Sequence, residues 1–256
     1  MKTRQFITLG LLVLIIMGSA GCRKPFGIDG NNQVVTETRQ LVSFNRVVNE
    51  GPFNVFVRQD SVFEVTVEAE SNLVPYIRTL VNGNTLIIDT REDLRNYQPM
   101  NVYVRTPFID GVYLKGSGFI RLDSLDTDNL EVDISGSGRI TGEVISNYLR
   151  TNISGSGSIG LYAVSSSTDT KISGSGDIEF IGESFSGTHT ISGSGNIRAY
   201  SFYQNEVIAK ISGSGNMYLN VSDQLDVNIS GSGSVFYIGD PLLTVKITGS
   251  GTVIKQ

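Results

Sequence analysis

The sequence predicts an all-β protein, a parallel β-helix (solenoid) with rungs of about 19 residues and an irregular N-terminal β part packed on the same column. Three observations carry this. Gly-Ser-Gly recurs eight times, with first glycines at Gly116, Gly136, Gly155, Gly174, Gly193, Gly213, Gly231 and Gly249, at intervals of 20, 19, 19, 19, 20, 18 and 18 residues. Two residues before each of these glycines, and four after, every copy is apolar, as at Leu114, Ile134 and Ile153 or at Ile120, Ile140 and Ile159. The positions between are mostly polar, such as Asp133, Asn152 and Lys171. Alternation with period 2 is strand, because successive side chains of a strand point to opposite faces. The same register in every copy favours parallel stacking, about 4.8 Å per rung.

The N-terminus reads as a leader. Lys2 and Arg4 precede an apolar run from Phe6 to Met17, then Gly18-Ser19-Ala20-Gly21 and the single cysteine, Cys22. The run is too short for a stable span and has the parts of a secretory signal. Ala20-Gly21-Cys22 is similar to a bacterial lipoprotein signal, which implies residues 1–21 as signal peptide and lipidation at Cys22, with the membrane as the partner of that lipid. Arg23-Lys24, with no acidic residue directly after the cysteine, points by the same resemblance to an outer-membrane anchor on the periplasmic face rather than the cell surface. Residues 22–33, with Pro25, Gly27, Gly30 and Asn31-Asn32, read as a lipidated flexible tether.

Residues 34–254 form one expected β-helix domain, irregular over 34–112 and built of Gly-Ser-Gly repeats over 113–254. In the first part Phe53, Val55 and Val57 alternate with polar neighbours, as do Phe63, Val65, Val67 and Ala69, with Gln59-Asp60-Ser61 as a tight connection between the two strands. Pro75 suits a single helical turn, and Asn82-Gly83-Asn84 a turn into Leu86-Ile87-Ile88. This part is expected to supply early rungs or a β-layer that covers the N-terminal end, since an uncovered strand edge invites aggregation. At the other end Val253-Ile254-Lys255-Gln256 carries no obvious cap; either Lys255 blunts the edge or another subunit covers it as a homo-oligomer.

The Gly-Ser-Gly corners read as backbone chemistry, glycine allowing positive φ and close approach of rungs, and the serines making hydroxyl ladders or bonding to backbone. No Walker lysine follows them and no nonapeptide aspartate repeats, so neither a phosphate loop nor a calcium roll is expected.

Reactive side chains are scarce. The chain has one His, one Cys and no Trp, which leaves no Cys–His pair and no zinc set, so no catalytic residue, metal or cofactor is expected. His189 falls in an inward column between Thr170 and Ala209 and reads as buried and hydrogen-bonded. Asp123, Asp126 and Asp128 with Glu131 and Asp133 form an acidic patch read as a solvated loop. In the outward column Glu179 and Arg198 are expected ladder neighbours and a surface ion pair, while Tyr218 and Phe236 adjoin in an aromatic stripe that could stack on sugar rings or meet a protein. These four residues are the candidate binding surface. A net charge of −5 without a basic run gives no nucleic-acid footprint.

Taken together, the leader, Phe44 to Val47, Gly51-Pro52-Phe53-Asn54-Val55, Asn82 to Ile88, and Val102 to Pro107 running into repeated Ser-Gly-Ser-Gly resemble the putative auto-transporter adhesin, head GIN domain family, over roughly residues 44–254. That resemblance implies a parallel β-helix in a cell-envelope protein common in Bacteroidetes, and it brings no catalytic residue. The expected function is a non-enzymatic envelope lipoprotein, adhesin-like, binding carbohydrate or an envelope protein. Two alternatives stay open: a polysaccharide-active enzyme working through carboxylates, and a periplasmic scaffold or regulator in an envelope-stress system.

Overall fold

The computed structural model describes residues 27–95 and 97–256. The expected signal and the lipidation site Cys22 lie outside the described residues.

In chain order come β1 (Ile28–Asp29), β2 (Val34–Arg39), β3 (Arg46–Asn49), β4 (Asn54–Gln59) and β5 (Glu64–Glu70). A 3-10 turn at Val74–Tyr76, with Pro75 early in it, leads to β6 (Ile77–Asn82), β7 (Thr85–Thr90), β8 (Leu94–Arg95), β9 (Asn101–Thr106) and β10 (Gly111–Leu114). Then follow the long rungs β11 (Phe119–Ile134), β12 (Arg139–Ile153), β13 (Ser158–Ile172), β14 (Asp177–Ile191), β15 (Asn196–Gly213) and β16 (Asn216–Gly231). The chain closes with β17 (Ser234–Ile238), β18 (Leu242–Gly249) and β19 (Thr252–Lys255). The result is a parallel solenoid of about eight turns.

Each long rung bends round the column while keeping its ladder. In β12, Ile140, Val144 and Ser146 point inward; the alternation changes phase past Asn147, and Leu149, Thr151 and Ile153 point inward again. Residues repeat in register from rung to rung, Ile140 on Ile159 and Ile153 on Ile172, so identical side chains pile up inside. The interior is one continuous cluster of buried aliphatic and aromatic side chains, with Phe180 stacked on Phe202 at 5.1 Å.

Close approach dominates the glycine corners. A Cβ on Gly174 would lie 2.4 Å from the carbonyl oxygen of Gly155, and one on Gly155 would lie 2.3 Å from that of Gly136. Positive φ enters among the first glycines only at Gly213, Gly231 and Gly249. The corner serines donate backbone N–H groups to the glycine carbonyls below, as Ser175 does to Gly155 at 3.1 Å. The corner serines are exposed, and among the described residues no hydrogen bond links the hydroxyls of one corner to those of the next.

The N-terminal part covers one end of the column as expected, with early rungs and a closing β-layer. β3 and β4 make a complete rung that pairs in parallel with β10 and β11 above. Its corner is held by buried Asn49, which accepts from the N–H of Gly51 and donates to the carbonyl of Phe53. Below it lies a second rung, β7 and β9. Antiparallel β6 and β5 close the end, and β2 adds outside β5. Gln59-Asp60-Ser61 therefore does not join two neighbouring strands: β9 sits between β4 and β5, and the link crosses over it. Gly83, at φ +61°, turns β6 into β7 as the sequence indicates.

The tether reading needs correction from residue 27 onward. β1 pairs with β8, and the N–H groups of Asn31 and Asn32 bond to the side chains of Asn72 and buried Glu70, so this segment is docked on the cap. Glu70 also accepts from the N–H of Gln98 at 3.0 Å. Hydrogen bonds, which composition alone does not show, decide the matter.

At the opposite end no strand among the described residues covers the last rung. Leu225, Val227 and Ile229 in β16 are 0–3% exposed, whereas the residues stacked on them in β18, Leu243, Val245 and Ile247, are 38–43% exposed. All eight residues of β18 are exposed.

Candidate binding face

One outward ladder runs the length of the molecule. It passes from Tyr103 through Phe56 to Arg121, Thr141 and Gly160, then through Glu179 and Arg198 to Tyr218, Phe236 and Ile254, each in register with the next. Parallel register holds these side chains on one face, because every rung alternates in the same phase.

Near the open end, Tyr218 and Phe236 stack with ring centroids 5.1 Å apart and planes 9° from parallel. Tyr200 meets Tyr218 edge-on at 5.5 Å. Tyr200 stands where β15 carries extra residues relative to β16: the ladder slips between Ala199 and Tyr203, and this bulge swings the ring over its neighbour. Burial, and secondarily Tyr218, push the Tyr200 hydroxyl above its ordinary pKa, so it stays a neutral phenol. A groove of about 340 Å³ lies between these rings and Glu179, Phe180, Arg198 and Ser201.

Glu179 and Arg198 are ladder neighbours, as the spacing indicates, but they are not the expected ion pair. Arg198 instead reaches Asp177, Nη1 to Oδ1 at 3.0 Å, and Glu179 makes no ion pair or side-chain hydrogen bond among the described residues. Diagonal reach explains the choice: a long guanidinium stem spans to the position two residues away on the next rung, where Asn196 also donates to Asp177. The groove thus presents a free carboxylate beside a neutralised arginine.

A second aromatic station occupies the capped end of the same ladder. Phe56 and Tyr103 stack at 5.1 Å with an interplanar angle of 18°, and Phe119 meets Phe56 edge-on at 6.5 Å. The Tyr103 hydroxyl donates to Glu68 at 3.0 Å, which fixes the ring. Arg105 is tied to Asp60 and Glu64, at 2.8 and 2.9 Å, and that guanidinium holds the Asp60 carboxyl below its ordinary range. Arg121 and Arg139, both exposed, make no ion pair or side-chain hydrogen bond among the described residues. A groove of about 590 Å³ runs past Phe56, Tyr103 and Arg121.

Other candidate chemistry is structural. His189 is fully buried; its Nε2 lies 2.8 Å from Gln204 Oε1, and Gln204 Nε2 donates to Thr168 at 3.2 Å. Burial pushes the imidazole pKa down, so it is neutral, and its Nδ1 has no partner. The acidic residues 123–133 do not converge, and among the described residues no group of three His, Cys, Asp or Glu side chains is placed to hold a metal.

Comparison with known proteins fits this architecture. The model of the family described as putative auto-transporter adhesin, head GIN domain, matches residues 43–182 and 144–241. The chain belongs to this family. Among solved structures, a Parabacteroides distasonis protein titled a putative lipid binding protein is 27% identical with a TM-score of 0.85, over 90% of this chain and 99% of that one. Titled putative adhesins from Parabacteroides merdae and Bacteroides fragilis are 22% and 23% identical, with TM-scores of 0.85 and 0.70; each match covers 90% of this chain and 98% and 100% of the other. No curated protein matches the chain.

Within this head GIN domain, sequence reasoning found Tyr218 and Phe236 but missed Tyr200, Phe56 and Tyr103. The 20-residue interval from Gly193 to Gly213, followed by one of 18, is the mark of the bulge that displays Tyr200. Phe56 and Tyr103 sit at polar-phase positions of valine-rich strands, Val55-Phe56-Val57 and Val102-Tyr103-Val104, which marks them as outward rings.

Proposed function

We propose that this protein is a non-enzymatic cell-envelope lipoprotein that binds carbohydrate chains along the outward ladder. The observation that carries the reading is the pair of stacked-ring stations on one face. From Phe56 to Tyr218 the ladder takes six steps, roughly 29 Å at the usual strand spacing. Ring faces flanked by hydrogen-bonding side chains suit sugar rings, which present an apolar face and a polar edge. The column interior is filled by side chains, which leaves the outward faces to the ligand. The leader ending in Ala20-Gly21-Cys22 supports a lipid anchor, and Arg23-Lys24 supports the periplasmic face of the outer membrane. Metabolic labelling with a radioactive fatty acid checks the anchor: label is expected on the intact chain and absent from Cys22→Ala.

The soluble form starting at Arg23 is the reagent for a glycan array and a polysaccharide pull-down, with each binder then incubated and sized. Binding without shortening is the expected result; shortened chains would establish the polysaccharide-active enzyme instead, and silence from every glycan would turn attention to an envelope-protein partner. Tyr218→Ala is expected to weaken binding by about 1 kcal/mol, roughly five-fold. Phe56→Ala should weaken a polymer by a similar factor and leave a short oligosaccharide at the Tyr218 station unaffected. Equal effects of Phe56→Ala on long and short ligands would refute a shared ligand across the two stations.

A further inference from the structure

We propose that the open end of the column is the contact face of a two-fold dimer, in which β18 of one copy pairs antiparallel with β18 of a second. The first ground is the contrast between the ends. Antiparallel β5, β6 and β2 close the N-terminal end, whereas at the other end Leu243, Val245 and Ile247 continue a fully buried column and are 38–43% exposed. With Leu242 at 75% and Ile254 at 40%, the last rung shows on the order of 400 Å² of apolar surface, as large as the main patch of a typical monomer. Among the described residues β18 pairs only with β16, which leaves the N–H and C=O groups of its outer edge without a neighbouring strand.

The second ground is self-complementarity, which selects a second copy as the occupant. In an antiparallel pair, directly opposite residues lie on the same face, so opposite positions must sum to a constant even number. Placing Val245 on the two-fold axis sets Leu243 against Ile247 of the second copy and Val245 against itself, which continues the apolar column. Outside, Thr244 faces Lys246 and Leu242 faces Thr248. Shifting the register by one step toward the C-terminus places Lys246 opposite its own copy, a like-charge contact; shifting it the other way leaves Ile247 facing Pro241. Within each copy Lys255 pairs with Asp240 of its own chain, so the favoured register leaves neither group as an unpaired charge at the joint. Head-to-tail stacking is disfavoured, because the opposite end presents β2 as an antiparallel edge bearing Glu37 and Arg39.

Sedimentation velocity on the soluble chain from Arg23, which contains no thiol, is the first test. A dimer at micromolar concentration is expected, and Val245→Asp should sediment as a folded monomer with an unchanged circular dichroism spectrum. Oxidation of Val245→Cys should give a cross-linked dimer, since the two-fold places that residue against itself. Ile247→Cys should not cross-link, its two positions lying about 13 Å apart, beyond disulfide reach. A monomeric parent chain, or a cross-link at position 247 rather than 245, overturns the proposal.

Discussion

Gly174→Ala is expected to destabilise the fold by about 3 kcal/mol, whereas Gly160→Ala should be neutral or stabilise by up to about 1 kcal/mol. Both glycines lie in central rungs, and the substitutions add the same methyl group. At Gly174 the new carbon would meet the carbonyl oxygen of Gly155 at 2.4 Å, with the carbonyl carbon and amide nitrogen of the same residue at 3.2 and 3.4 Å. All three are backbone atoms inside a ladder, so relief requires two rungs to separate. At Gly160 the nearest atom is the Thr141 methyl at 3.9 Å, an ordinary contact, and the unfolded chain loses freedom. For a chain of this size the first change corresponds to a melting-temperature drop of roughly 6–12 °C. Thermal unfolding of the two variants side by side is the check; equal melting temperatures would mean that the corners are not set by close approach.

Acid should weaken the protein through His189. Its folded pKa lies below the unfolded value because burial penalises the imidazolium, so at low pH the unfolded chain binds the extra proton. The contribution is therefore present above about pH 6.5 and is lost as pH falls below it, by at most about 1.4 kcal/mol per unit. Gln204 accepts from the ring while its amide nitrogen donates to Thr168, and the ladder neighbours Thr170 and Ala209 offer no anion. Asp169 favours the proton on the ring, but less than burial opposes it. His189→Gln keeps a donor towards Gln204 without a titrating group. Denaturant melts of both chains across this window should show the slope in the parent and its loss in the variant; parallel curves would place the acid sensitivity elsewhere.

The repeats were legible because each rung writes the same local rule: inward Ile134, Ile153 and Ile172 differ only in which copy carries them. Glycine spacing even marks the bulge at Tyr200. The N-terminal topology was not legible, because β9 enters between β4 and β5 through long-range pairing, and the alternation of Val55-Phe56-Val57 is indifferent to which strand lies alongside. For the same reason Phe56 and Tyr103 could be read as outward but not as members of the Tyr218 ladder. Spacing puts Arg198 beside Glu179, but its ion-pair partner Asp177 is set by side-chain reach, which spacing along one column does not contain.

The docking of residues 27–33 on the cap bears on how the proposed lipid anchor would hold the molecule. If Cys22 carries the proposed lipid, only a few residues lie between it and docked Ile28, so the link from membrane to column is short. The opposite end lies about ten strand spacings, roughly 50 Å, from the capped end. In an end-to-end pair the two lipid attachments lie at opposite poles, roughly 100 Å apart by the same spacing. Two upright copies can then meet only between facing membranes, and copies rooted in a single membrane must lie flat to pair.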